Sequence, residues 1–121
     1  MTDIDLGRAA ILDLGSEDYY YLGDAAAYVP SVPAERRAGV AREAMRQLLR
    51  EGLVQLYFGN LATNKVVPLP LDEALRAVDD PRAWDGTLHP NGYCFANTAA
   101  GDAVYRGEAR PGSARHQPNE R

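Results

Sequence analysis

The sequence predicts an α+β fold, helices packed on a short-stranded sheet, and three stretches carry that prediction. Residues 33–59 hold a long helix pattern that runs through Glu51-Gly52 directly into a strand pattern. Ala34, Ala38, Ala41, Ala44, Met45, Leu48 and Leu49 recur at three- and four-residue spacing, which gathers them on one helical stripe. Pro33 suits the first helical position, where its missing N–H costs nothing, and Glu35 sits at the positive end of the helix dipole. Gly52 is free to take the left-handed conformation that ends a helix. Leu53, Val54, Leu56, Tyr57 and Phe58 then turn β-branched and aromatic. The second signal is the pair of short aromatic segments at 19–22 and 93–96, too short for helices. The third is a recurrence of helical spacing at 4–14 and 71–79.

Taken in order, Ile4, Leu6, Ala9, Ala10, Ile11 and Leu14 predict a first helix over residues 4–14, ended by Gly15 and Ser16. Gly7 inside it costs about 1 kcal/mol relative to alanine. In the run 19–22, alternation turns Tyr20 to one face and Tyr19 and Tyr21 to the other, so at least one row belongs to the core. Asp24 is placed to cap a short helix from Ala25 to Val29 that Pro30 stops, and Ser31-Val32-Pro33 turns into the long helix. After the strand at 53–58, Gly59-Asn60 and Asn64-Lys65 are turn signals, with a brief strand at Val66-Val67. Leu71, Ala74, Leu75 and Val78 share one face of a helix over 71–79. Trp84 is expected to fold back on that helix, because a large indole seldom stays exposed beside apolar surface. Asn97 or Thr98 opens a short helical segment to Tyr105. From Gly107 onward no aliphatic residue larger than alanine occurs, which predicts a mobile tail over 107–121.

The 121 residues make one domain of ordinary size, able to bury a core without disulfide or metal. The single cysteine, Cys94, has no partner for an internal bridge and fits a reducing, cytoplasmic setting. No leader and no run of about 18 apolar residues appears, so neither secretion nor a membrane span is expected. The net charge of −4 is unevenly spread. Residues 1–34 carry −5, residues 35–51 carry +2, residues 52–90 carry −2 and residues 91–121 carry +1. Positive charge is thus concentrated on the long helix and the tail. A net-acidic domain repels nucleic acid unless that one face is presented.

The order of elements resembles the winged-helix domain: a helix, a small strand, two helices forming a helix-turn-helix, then a two-stranded wing. Leu48-Leu49-Arg50-Glu51-Gly52-Leu53-Val54 is similar to the LxxxGLV ending of the third helix in many such domains. Tyr93 to Gly101, YCFANTAAG, looks like the Y-x-x-T-x-x-G that follows the wing in bacterial repressors of the multiple-antibiotic-resistance and phenolic-acid-regulator kinds. There Thr98 would cap the turn after the last strand and Gly101 would permit close approach to the core. The resemblance implies a winged helix-turn-helix over residues 1–106: a three-helix core with a small antiparallel sheet. One departure stands out, since about thirty residues, with the 71–79 helix among them, separate the two wing strands. They read as a helix-bearing insertion over about 60–91, and the helix gives so long a connection internal order.

The resemblance implies a cytoplasmic transcriptional regulator, a homodimer reading a pseudo-palindrome in duplex DNA with the third helix in the major groove. It points to Arg36 and Arg37 at that helix's start, where phosphate contacts are usual, and to Arg42, Arg46 and Arg50. The last three stand at i, i+4 and i+8 opposite the apolar stripe, which predicts one solvent-facing ridge. Guanidinium groups fork onto phosphates or guanine edges. Lys65 would touch the backbone from the wing, and Arg106, Arg110, Arg115 and Arg121 give the tail sparse positive charge. The plainer reading is an ordinary solvated helix face, partly neutralised by Glu43 and Glu51. The other reading of the whole chain is a winged helix turned to a protein partner, as an inhibitor or immunity-type module. Tyr19, Tyr21 and Trp84 would then supply the anchors.

No enzyme signature appears. His89 and His116 lie far apart, Cys94 falls in a strand pattern as a small hydrophobe, and no GxSxG, phosphate loop, HExxH or CxxC occurs. Asp72-Glu73 and Asp79-Asp80 read as helix-end charges. Asp85, His89 and Cys94 have the residue types of a metal site with irregular spacing. No catalytic residue, metal or cofactor is expected.

Overall fold

Each of these elements forms, with its ends shifted by a few residues, in a computed structural model that describes residues 2–29 and 32–107. The turn at Pro30-Ser31 and the tail from residue 108, including Arg110, Arg115, His116 and Arg121, lie outside the described residues. Five helices run Asp3–Glu17 (α1), Leu22–Ala27 (α2), Ala34–Arg50 (α3), Leu71–Val78 (α4) and Ala99–Tyr105 (α5). Four strands run Tyr20–Tyr21 (β1), Val54–Asn60 (β2), Lys65–Pro68 (β3) and Gly92–Asn97 (β4).

The path from α3 into β2 follows from local chemistry. Pro33 stands just before the helix, one position earlier than expected, with φ −55° and ψ 142°. At the other end Gly52 takes φ +75°. Its N–H donates to Leu49 O at 3.1 Å and the Leu53 N–H to Leu48 O at 3.0 Å, which closes the helix in a Schellman cap. Val40, Ala41, Ala44, Met45, Leu48 and Leu49 are all buried along α3. Ala44, Met45, Leu48 and Leu49 meet Ile11 and Leu14 of α1, Leu22 and Ala25 of α2, Ala74, Ala77 and Val78 of α4, and Val54, Leu56 and Phe95 of the sheet in one core, while Val40 packs with Ala10, Val29 and Val32 in a second cluster.

The sheet is antiparallel throughout, in the order β1-β4-β2-β3. Strands β2 and β4 pair over their length, from Val54 opposite Asn97 to Gly59 opposite Gly92. The long excursion between them therefore does not disturb their register. Its first part returns as β3 along the free edge of β2, with Phe58 opposite Val67. Tyr20 packs on the core while Tyr19 stacks at a tilt on Tyr57, ring centres 5.0 Å apart, so the expected division of the tyrosine row is present.

Two expectations are corrected at helix ends. Gly15 and Ser16 do not end α1. The helix runs to Glu17, and Gly15 is a packing position within it, where a Cβ would lie 2.3 Å from Asn97 Oδ1. Asp24 does not open its helix either. It lies in the first turn of α2, and its Oδ2 accepts from Tyr21 N at 3.1 Å. The expected fold-back of Trp84 is present, its indole Nε1 donating to Val78 O at 2.9 Å.

Two long-range contacts fasten the core. Arg8 of α1 forks onto Glu51 at the end of α3, with Nη1 to Oε2 at 2.8 Å and Nη2 to Oε1 at 2.7 Å, and Nη1 also reaches Gln47 Oε1 at 3.0 Å. That hydrogen bonding holds the Glu51 carboxyl below its ordinary range and raises the guanidinium. Thr98 joins β4 to α5: its Oγ1 accepts from Gly101 N at 3.1 Å and donates to Gly52 O at 2.7 Å. A Cβ on Gly101 would lie 1.9 Å from Leu53 O, a backbone atom with no freedom to withdraw.

These contacts set three expectations for stability. Gly101→Ala should lower the unfolding free energy in urea by about 2–3 kcal/mol or more through overpacking. Gly39→Ala, at an exposed helix position with nothing within 4 Å of the added carbon, should raise it by about 0.5–1 kcal/mol. Glu51→Gln should cost about 0.5–1 kcal/mol at neutral pH, the range of a part-exposed bidentate pair. Because the folded carboxyl titrates lower than the unfolded one, that difference is full above the unfolded value and closes as pH falls through the folded value. Cys94 gives a fourth. It is fully buried in β4 and burial pushes its thiol up to about 11, so it should ignore a thiol reagent in the native state and react once unfolded.

Candidate nucleic-acid interface

The cations on α3 divide by what surrounds them. Arg36 is half exposed and its Nε and Nη2 meet Asp3 Oδ2 at 3.1 and 3.0 Å. Arg37 Nε donates to Val32 O at 2.7 Å, tying the helix start to the segment before it. Arg46 has all three guanidinium nitrogens engaged. Nη1 meets Glu43 Oε1 at 2.6 Å, while Nε and Nη2 meet Asp79 Oδ1 at 3.0 and 2.7 Å.

Arg42, Arg50 and Lys65 contrast with these. Among the described residues they have neither an ion pair nor a side-chain hydrogen bond. Arg50 is exposed in the last turn of α3 and Lys65 is exposed where β3 begins, opposite Asn60. Arg42 is half buried, and its Nε is out of solvent contact with nothing to bond.

The expected solvent-facing ridge is therefore corrected. Of Arg42, Arg46 and Arg50, only Arg50 is exposed; the Arg46 side chain retains 24 % of its accessible surface. At Arg46 the cause is α4, which packs against α3 and buries Ala74, Ala77 and Val78, leaving Asp79 beside Arg46. Glu51, expected to neutralise the α3 arginines, is turned to Arg8 instead. Asp3 and Asp79 are the counter-ions the sequence reading missed. Each lies 33 residues from its arginine, so no local spacing signals the pair.

The alternative anchors separate. Tyr21 and Trp84 meet at a cleft of about 200 Å³ that Asp24, Arg82, His89 and Tyr93 also line. The Tyr21 hydroxyl crosses this region, donating to Pro90 O at 3.3 Å and accepting from Leu61 N at 3.0 Å. Tyr19 is elsewhere, against Tyr57. A further group without a sequence signal is Asp13, whose carboxylate accepts from the Tyr28 and Tyr105 hydroxyls at 2.9 and 2.6 Å. Those bonds keep both phenols protonated above their ordinary range and tie α2 and α5 to α1.

The chemistry open to these groups is anion contact and apolar contact. Cys94 is buried with a raised thiol, and the Asp85 carboxylate accepts from Thr87. Among the described residues no three His, Cys, Asp or Glu side chains gather to hold a metal, and no helix is long and apolar enough to cross a membrane. No protein-family model, curated protein or solved structure matches this chain.

Proposed function

We propose that the chain is a winged-helix DNA-binding regulator, non-enzymatic, that offers α3 to duplex DNA. The observation that carries this reading is the set of cations without counter-ions. Arg42 and Arg50 on α3 and Lys65 at the head of β3 are unpaired among the described residues of a chain whose net charge is −4. In an acidic chain, cations are cheaply neutralised by nearby carboxylates, as Arg8, Arg36 and Arg46 are. Three that remain open, two of them eight residues apart on the same helix, suit an anion from outside. A phosphate supplies both negative charge and paired acceptors for a guanidinium fork, and a guanine edge supplies the paired acceptors.

The order of elements supports the same reading. A helix, a strand, two helices and two paired strands succeed one another, and β1 adds to the sheet beside β4. Arg36 enters the interface by exchanging Asp3 for phosphate, since an exposed pair of that kind is worth at most about 1 kcal/mol. The resemblance that implies the fold also implies a homodimer.

Partner binding without DNA is the second reading, favoured by the meeting of Tyr21 and Trp84 at one cleft. Fluorescence anisotropy with labelled generic duplex, titrated from about 20 to 200 mM salt, decides between the two. Under the DNA reading, log affinity falls linearly with log salt, and an Arg42→Ala/Arg50→Ala double variant loses about two phosphates' worth of that slope, near 1.8. A double variant that binds like the parent would sink the assignment of those arginines. A parent that fails to bind at the lowest salt moves the function to the cleft and a protein partner.

A further inference from the structure

We propose that Asp79, the residue that follows α4, competes with DNA phosphate for Arg46 and so limits how tightly α3 holds DNA; this rests on the DNA-binding reading above. Arg46 stands midway between Arg42 and Arg50 on α3, four residues from each, and those two neighbours are unpaired among the described residues. The middle member of the row is the one whose guanidinium is filled. Its Nε and Nη2 converge on Asp79 Oδ1 at 3.0 and 2.7 Å, and Nη1 is held by Glu43 at 2.6 Å. Glu43 belongs to α3 itself, three residues away. Asp79 comes from the excursion between β2 and β4.

The geometry is that of a replaceable ligand. Asp79 keeps 61 % of its side chain exposed, so the carboxylate can swing into water without breaking any buried contact. The same two nitrogens that grip it present the fork that phosphate oxygens occupy. Phosphate binding at Arg46 must therefore displace a carboxylate, whereas binding at Arg42 or Arg50 displaces only water. Part of the intrinsic affinity of α3 is withheld by the chain's own insertion, and whatever moves α4 would release it.

The test is duplex-DNA anisotropy on five proteins: parent, Asp79→Asn, Asp79→Ser, Asp72→Asn, and Asp79→Asn combined with Arg46→Ala. Asp72→Asn is the charge control. Asp72 lies in the first turn of α4, its carboxylate 3.8 Å from Arg76, and the substitution removes one negative charge without touching Arg46. Asp79→Asn should bind about two- to fivefold more tightly than Asp72→Asn at about 50 mM salt, with a log–log salt slope steeper by about 0.9. Adding Arg46→Ala should erase both gains. Asp79→Ser, which removes the charge and most of the side chain, should act in the same direction and guards against an asparagine that keeps the contact. Parent binding with Asp79→Asn no better than Asp72→Asn overturns this inference and leaves the DNA reading standing. Absence of binding by every protein at about 20 mM salt overturns the reading itself, and the inference with it.

Discussion

The burial of α3 between elements on several sides is the constraint on which the rest of the structure depends. Six of its residues are sealed; four of them share one core with α1, α2, α4 and the sheet, and Val40 joins a second cluster with Ala10, Val29 and Val32. A helix so enclosed has little surface left over. The side chains not in the core must either reach past a neighbouring element or bond to it. Arg8 reaches from α1 to the end of α3, and Asp79 from the end of α4 to its middle. The Schellman cap at Gly52 matters for the same reason. It turns the chain out of α3 into β2 within three residues, so that Leu53 and Val54 join the core that Leu48 and Leu49 have begun.

That enclosure explains which features were legible in the sequence. The stripe on α3, the glycine that ends it, and the Thr98–Gly101 turn are local: their residues lie within a few positions of one another, and backbone chemistry settles them. The α4 pattern is equally local. Gly15 misled because a glycine followed by serine reads as a helix end, while here it is the point at which Asn97 of β4 lies against the helix. Its meaning depends on a residue 82 positions away, which no window of sequence contains.

The candidate site failed to be legible in the same manner. Spacing at i, i+4 and i+8 correctly places Arg42, Arg46 and Arg50 on one side of α3, but spacing cannot say what stands opposite. At Arg46 the end of α4 stands there and supplies Asp79, while Arg42 is half buried with its Nε unbonded and Arg50 is exposed. The tyrosines behaved likewise. Alternation separates Tyr20 from Tyr19 and Tyr21, but only the fold brings Tyr21 to Trp84 and leaves Tyr19 on Tyr57.

Net charge is a poor guide to such a surface, because pairing removes charges unequally. Many of the acidic side chains are engaged within the chain: Asp3, Glu43, Glu51, Asp79 and Asp80 face arginines, and Asp13 faces two phenols. An anion approaching α3 meets a local field set by the unpaired groups at short range, since screening at physiological salt suppresses contributions beyond about 8 Å. Arg42 differs from Arg50 in that its Nε is shielded from water and unbonded. The proposed interface is thus defined less by where arginines are numerous than by where the fold has left them without a carboxylate. The excursion between β2 and β4 enters that distribution through Asp79, which pairs with the central arginine, Arg46.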